Sequence, residues 1–201
     1  MNSWCVGNVT DMSRLFQYME DFNEDISGWD TSSATSMAGM FWYATSFNGD
    51  ISNWDVSSVT EMSDVFHTAI SFNGDLSKWD VGNVETMVYM FYNARNFTSD
   101  LSKWNVSRVE RMLYMFFNAT RFTSDLLRWD VRNVTDMRDM FSGATSFMSD
   151  LSQWDVSKLR RAKVMFEDAR SFKSDLSRWD MQRQAALSGS KHSSFQLASY
   201  S

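Results

Sequence analysis

The sequence predicts an α/β fold, a right-handed stack of about 7–8 coils in which each coil contributes one short parallel strand and one helix. Three observations predict it. Trp recurs at positions 4, 29, 54, 79, 104, 129, 154 and 179, a step of 25 residues with no insertion or deletion. Within each unit, one stretch returns an apolar residue about every third position, as along one stripe of a helix. A second stretch has the spacing L-x-x-L-x-L, which ends in a short strand. A unit this short cannot bury its apolar face alone, so neighbouring units must stack around one continuous core, as in a solenoid.

The strand comes first in each unit. Ile51, Trp54 and Val56 carry the L-x-x-L-x-L spacing, which sends Trp54 and Val56 inward and Asp55 outward. One strand per coil builds a parallel sheet with strands about 4.8 Å apart, roughly 34 Å long over eight coils. The winding is right-handed by the rule for parallel crossovers. This is the leucine-rich-repeat-like form of a solenoid. The helix follows. Val59, Met62, Val65, Phe66, Ala69 and Phe72 fall on one stripe, which predicts about ten to thirteen helical residues. Thr10, Thr35, Thr60 and Thr135 stand just ahead of the stripe, where a side-chain oxygen caps a free N–H. Met37, Met40, Phe41, Met62, Phe66, Met87, Met90 and Phe91 share that helical spacing and read as core rather than as a cofactor box. The unit closes on Asp25 and its equivalents at 50, 75, 100, 125, 150 and 175, a column that reads as Asx turns. The repeat solenoid spans 1–181 as a single domain, and 182–201 form a non-repeat tail or cap.

Composition limits the function. The chain has 201 residues with 43% apolar content and 15% aromatic content, enough for one sizeable core. Cys5 is the only cysteine and His67 and His192 the only histidines, so no disulfide framework or Cys/His metal cluster is expected. No apolar run has the length of a membrane span, and the start MNSWCVGNVTDM shows neither a basic nor an apolar leader region. No nucleophile elbow, phosphate loop or dinucleotide glycine pattern occurs, so neither catalysis nor a cofactor is expected. Asp50 and Asp55 could be drawn as an acid–base pair, but every coil repeats the same pair, whereas such chemistry needs two unlike environments at one place.

Two features remain as candidate sites. The first is the outward strand face, with Lys78, Asp80, Lys103, Asn105, Arg128, Asp130 and Asp155. Carboxylates stacked at the strand spacing repel by roughly 0.9 kcal/mol per pair even in water. The Lys or Arg preceding Trp lies diagonally across from the Asp, close enough to offset that repulsion. The face reads either as internally neutralised surface or as a partner- or cation-binding row. Asn105 shows that hydrogen bonding matters there more than charge. The second feature is charge asymmetry. Residues 1–100 hold 3 Lys+Arg against 14 Asp+Glu, a net of −11, and residues 101–201 hold 16 against 11, a net of +5. The basic end includes Lys158, Arg160, Arg161 and Lys163, placed on the last full helix, with Ala162 in the Met column. It reads as a solvated cap or as a contact for an anionic partner or for head-to-tail self-association. With a pI near 4.9, nucleic acid is not expected.

The unit FNGDISNWDVSSVTEMSDVF resembles the roughly 25-residue surface-protein repeat of mycoplasmas, lactobacilli and marine microbes, grouped with BspA-type leucine-rich repeats. The resemblance covers about residues 1–181. It implies a leucine-rich-repeat-like fold and a cell-surface or extracellular protein that binds a protein or glycan partner in adhesion. The competing expectation is a structural element that assembles by stacking its coils end to end.

Overall fold

The computed structural model describes residues 4–179, and the expected tail or cap at 182–201 lies outside them. Coils are counted here from each repeated Trp: coil one is 4–28, coil two 29–53, coil three 54–78, coil four 79–103, coil five 104–128, coil six 129–153 and coil seven 154–178. Among the described residues there is neither an α-helix nor an extended strand. Each coil is a run of tight turns. In coil three, Val59, His67, Ala69 and Phe72 each donate N–H to the carbonyl three residues back, at 2.9, 3.1, 3.0 and 3.1 Å.

The expected helix is thus overturned, for two physical reasons. A helix sends its N–H groups back along its own chain. Here Met62, Asp64, Phe66 and Thr68 donate instead to Thr86, Val88, Met90 and Tyr92 of the next coil, at 3.2, 2.8, 2.9 and 2.7 Å. In addition, two positions per coil are left-handed: Arg14, Gly39, Asp64, Tyr89, Tyr114, Asp139 and Val164, then Tyr18, Tyr43, Thr68, Asn93, Asn118, Gly143 and Asp168. A left-handed residue ends a helix. The spacing by threes persists because each turn brings one side chain back inward. Each non-glycine left-handed residue costs about 1–2 kcal/mol. Burial offsets this, since a fully buried Phe, Val or Met contributes about 1.5–3 kcal/mol, and Val65, Phe66 and Ala69 are all buried.

The strand expectation is corrected too. Ile51, Trp54 and Val56 do point inward and Asp55 outward, but Trp54 donates to Ile51 O at 3.2 Å in a turn. Parallel pairing is confined to single bridges further along the coil, from Asp11 to Ser36 and on through Glu61, Thr86, Arg111, Asp136 and Arg161. Thr60 caps nothing. Its N–H and hydroxyl both reach the Thr35 carbonyl of the preceding coil, at 2.9 and 3.4 Å.

The core is a set of ring columns. Phe41 stacks on Phe47 within its coil at 4.0 Å and on Phe66 of the next coil at 5.7 Å. From Trp54 onward the repeated indole donates backwards across the core: Trp54 Nε1 to Ile26 O, Trp79 to Ile51 O and Trp104 to Leu76 O, at 3.2, 3.1 and 3.0 Å. The corner before each conserved-register Asp is tied in two ways along the stack. In the early coils, Asn23 and Asn48 side-chain oxygens accept from the N–H of Asn48 and Asn73. In the later coils, Ser124 and Ser149 hydroxyls accept from the N–H of Leu101 and Leu126.

Candidate functional site

The Trp-Asp face is a second column of Asx turns. Asp55, Asp80 and Asp155 accept the N–H two residues on at 2.9, 3.0 and 3.0 Å, and Asn105 does the same from Ser107 at 3.2 Å. This is why the column tolerates Asn: the oxygen is used and the charge is not. Lys78, Lys103 and Arg128 are exposed, but among the described residues no ion pair joins them to Asp80, Asn105 or Asp130. The other carboxylate column is held below its ordinary range chiefly by hydrogen bonds, from Ser77 to Asp75 and from Ser102 to Asp100, with Lys78 and Lys103 adding a smaller effect. Asp130 pairs within its own turn with Arg132 at 2.7 Å.

The basic end lies on turns, not on a helix. Lys158 Nζ donates to Asn133 Oδ1 at 2.7 Å, and Arg161 reaches the buried Asp136 at 3.5 Å, which Arg138 also pairs at 2.7 Å. Arg160 and Lys163 are exposed. Of the four, Arg161 meets an acid and Lys158 a neutral amide oxygen.

A different surface stands out, on columns that lie between those of the expected helical stripe and that drew no reading in the sequence. Outside the buried Trp, Met and Phe columns, rings gather on one face of coils one to five. Tyr18 lies 5.7 Å from Trp42, and Trp42 lies 5.2 Å from His67. His67 stacks on Tyr92 at 4.5 Å, and Tyr92 on Phe117 at 4.7 Å. Beside this row, Tyr89 stacks on Tyr114 at 4.9 Å and meets Tyr92 edge to face at 5.6 Å. These rings occupy the two left-handed columns and the column between them, where other coils hold Arg14, Gly39, Asp64, Ser142 or Gly143. The frame therefore does not require them. A signal was available in the sequence: Trp42 is the one Trp of nine outside the period of 25, and every Tyr except Tyr200 falls in these columns.

The strip is bordered by ionisable groups with shifted equilibria. Burial, with Glu61 beside it, raises Asp64 to about 6 against a moderating Arg14. Burial raises Asp139 as well, although the hydrogen bond with Tyr114 opposes the shift. His67 is lowered to about 4 by burial, so it is neutral near pH 7, and its Nδ1 lies 3.1 Å from Thr68 Oγ1. The Trp42 indole N–H is buried without a hydrogen-bond partner. Among the described residues, no group of three or more His, Cys, Asp or Glu is placed to hold a metal ion. What the arrangement offers is contact area: rigid aromatic edges with polar tips, on a frame that fixes the backbone in every coil.

An invariant turn frame with columns that vary freely on its outside defines a repeat protein. The chain belongs to the family described as Mycoplasma protein of unknown function, DUF285, whose model matches residues 1–104 and 86–198. No curated protein matches it.

Proposed function

We propose that this is a non-enzymatic repeat protein that binds a macromolecular partner at a cell surface, and that the aromatic strip is its contact face. The observation that carries this reading is the set of rings in columns the fold leaves free. Tyr, Trp and Phe supply large contact area at low conformational cost and concentrate where proteins are recognised. The placement at a cell surface rests on the resemblance of the unit to BspA-type surface repeats. Beads coated with the chain, scored for attachment to cultured cells and to a glycan array, test the reading. Tyr89→Ser with Tyr92→Ser abolishes attachment, and Lys103→Glu with Arg128→Glu leaves it intact. The opposite pattern moves the site to the Trp-Asp face, and a wild-type chain that attaches to neither surface contradicts the reading.

A second reading is end-to-end assembly. Coil one exposes Trp4, Val9, Leu15 and Met19, and the acidic and basic halves attract head to tail. It predicts open-ended growth in light scattering that fades with salt. A salt-indifferent monomer removes it.

A further inference from the structure

We infer that the basic end of the stack docks on an anionic phospholipid membrane, through one side of coils five to seven that borders the aromatic strip without using its rings.

Position within the coil concentrates the charge. At the corner closed by the amides of Val109, Val134 and Leu159, the chain enters three short runs, 108–113, 133–138 and 158–163. They hold 7 Lys+Arg against 2 Asp+Glu, a net of +5. All other residues of coils five to seven hold 6 against 8, a net of −2. The positive excess of these coils therefore lies wholly on this side. Bridges from Arg111 to Asp136 and on to Arg161 hold the three runs next to one another.

Pairing leaves most of that charge available. Of the two acids in the runs, buried Asp136 is spent on Arg138 and Arg161, at 2.7 and 3.5 Å. Arg108, Arg111, Lys158, Arg160 and Lys163 are exposed and make no ion pair among the described residues. Arg108 and Lys158 donate instead to neutral amide oxygens, those of Asn83 and Asn133, both at 2.7 Å. These bonds hold the cations at the corner without neutralising them. The carboxylates that face the patch are Glu110 within it, Asp139 on the border with the strip and Asp155 on the opposite border. Asp130, beside Asp155, is taken up by Arg132.

Shape and surroundings select a lipid surface among anionic partners. The three runs contain no aromatic residue, so nothing there can stack on a base, as single-stranded nucleic acid requires. A linear polyanion laid along the stack would run on to the equivalent runs of coils one to four, 8–13, 33–38, 58–63 and 83–88, which hold no Lys or Arg against Asp11, Glu61 and Glu85. A membrane meets the basic end alone, because repulsion of the acidic coils tilts them away from it. Three coils separate Glu61 from the middle of the patch, about 14 Å. That exceeds the Debye length of about 10 Å at 0.1 M salt, so the acidic end does not cancel the attraction of anionic headgroups for clustered Lys and Arg.

Co-sedimentation of the full chain with vesicles tests this. Binding should occur to phosphatidylcholine vesicles containing phosphatidylglycerol, not to phosphatidylcholine alone, and should be lost at about 0.5 M salt. Arg111→Glu with Arg160→Glu should weaken it by about tenfold or more. Both columns already hold Glu, at Glu61 and at Glu85 and Glu110, so the frame accepts the change. Tyr89→Ser with Tyr92→Ser should bind as the wild type does. The inference is overturned by a wild-type chain that ignores lipid charge, by an Arg111→Glu, Arg160→Glu variant that binds as well as the wild type, or by loss of binding in the tyrosine variant. Displacement from the vesicles by duplex DNA of matched charge would make the partner a soluble polyanion and overturn it as well.

Discussion

The indole N–H of Trp79 donates to the carbonyl of Ile51, 28 residues earlier, at 3.1 Å across the core. The same bond recurs from Trp54 to Trp179, each indole satisfying a buried carbonyl of an earlier coil. Trp79→Phe keeps an aromatic ring but loses the donor and part of the buried ring volume. A buried acceptor left unsatisfied costs about 1–3 kcal/mol, so we expect the urea midpoint to fall by that equivalent, and an unchanged midpoint would show that the bond contributes nothing.

The left-handed columns make opposite predictions for opposite substitutions. Val164 is β-branched at φ 61°, a conformation that costs about 1–2 kcal/mol for a side chain and nothing for glycine. Val164→Gly should therefore stabilise by roughly 0.5–1 kcal/mol after the added chain entropy is counted. Gly39→Val should destabilise, since φ is 63° and the new Cβ would stand 3.4 Å from Arg14 Cγ. Thermal unfolding of the pair checks both signs.

Much of the frame was legible in residue types. The step of 25 set the coil, and the strict Asp column at 25, 50, 75 and onward announced Asx turns, because a short side chain with a free oxygen has few other uses at a fixed corner; the Asp after each Trp, read as an outward strand position, turned out to make the same turn. Conformation inside the unit was not legible, because turns of three residues and a helix both return Phe66, Ala69 and Phe72 to one side. Gly39 and Gly143 held the discriminating information: glycine in a helix interior is costly, and both sit where φ is positive. The strip was not legible because Tyr18, Trp42, Tyr89 and Tyr92 fall in columns whose residue type varies from coil to coil, so no periodic signal marks them.

Asx turns make the fold sensitive to strong acid. The Ser77 hydroxyl and then its N–H hold Asp75 below its ordinary range, and Ser157 does the same for Asp155. A depressed folded pKa gives stability that is complete above the unfolded value near 3.9 and is lost as pH falls through the folded one. Melting temperature should therefore drop steeply below about pH 4. Asp75→Asn keeps the acceptor and should be near neutral, whereas Asp75→Ala should cost about 0.5 kcal/mol at pH 7.

Between pH 6.5 and 4.5, two strip residues oppose each other. Asp64, raised to about 6, binds its proton sooner in the folded chain, so it adds stability as pH falls. His67, lowered to about 4, stays neutral while the unfolded chain protonates near 6.5, so it removes stability over the same window. The wild-type chain should be nearly flat there. Asp64→Asn should lose stability on acidification and His67→Tyr should gain it, as read from melting curves at the two pH values.

The account depends most on the claim that backbone N–H groups bridge coils instead of closing a helix. Scalar couplings across hydrogen bonds, measured by NMR, name each acceptor directly. We expect the amide of Tyr89 to couple to the carbonyl of Leu113 and that of Phe91 to Met115, the pairs at 3.1 and 2.9 Å. Coupling of the same amides to Glu85 and Met87, four residues back along the chain, would contradict the account.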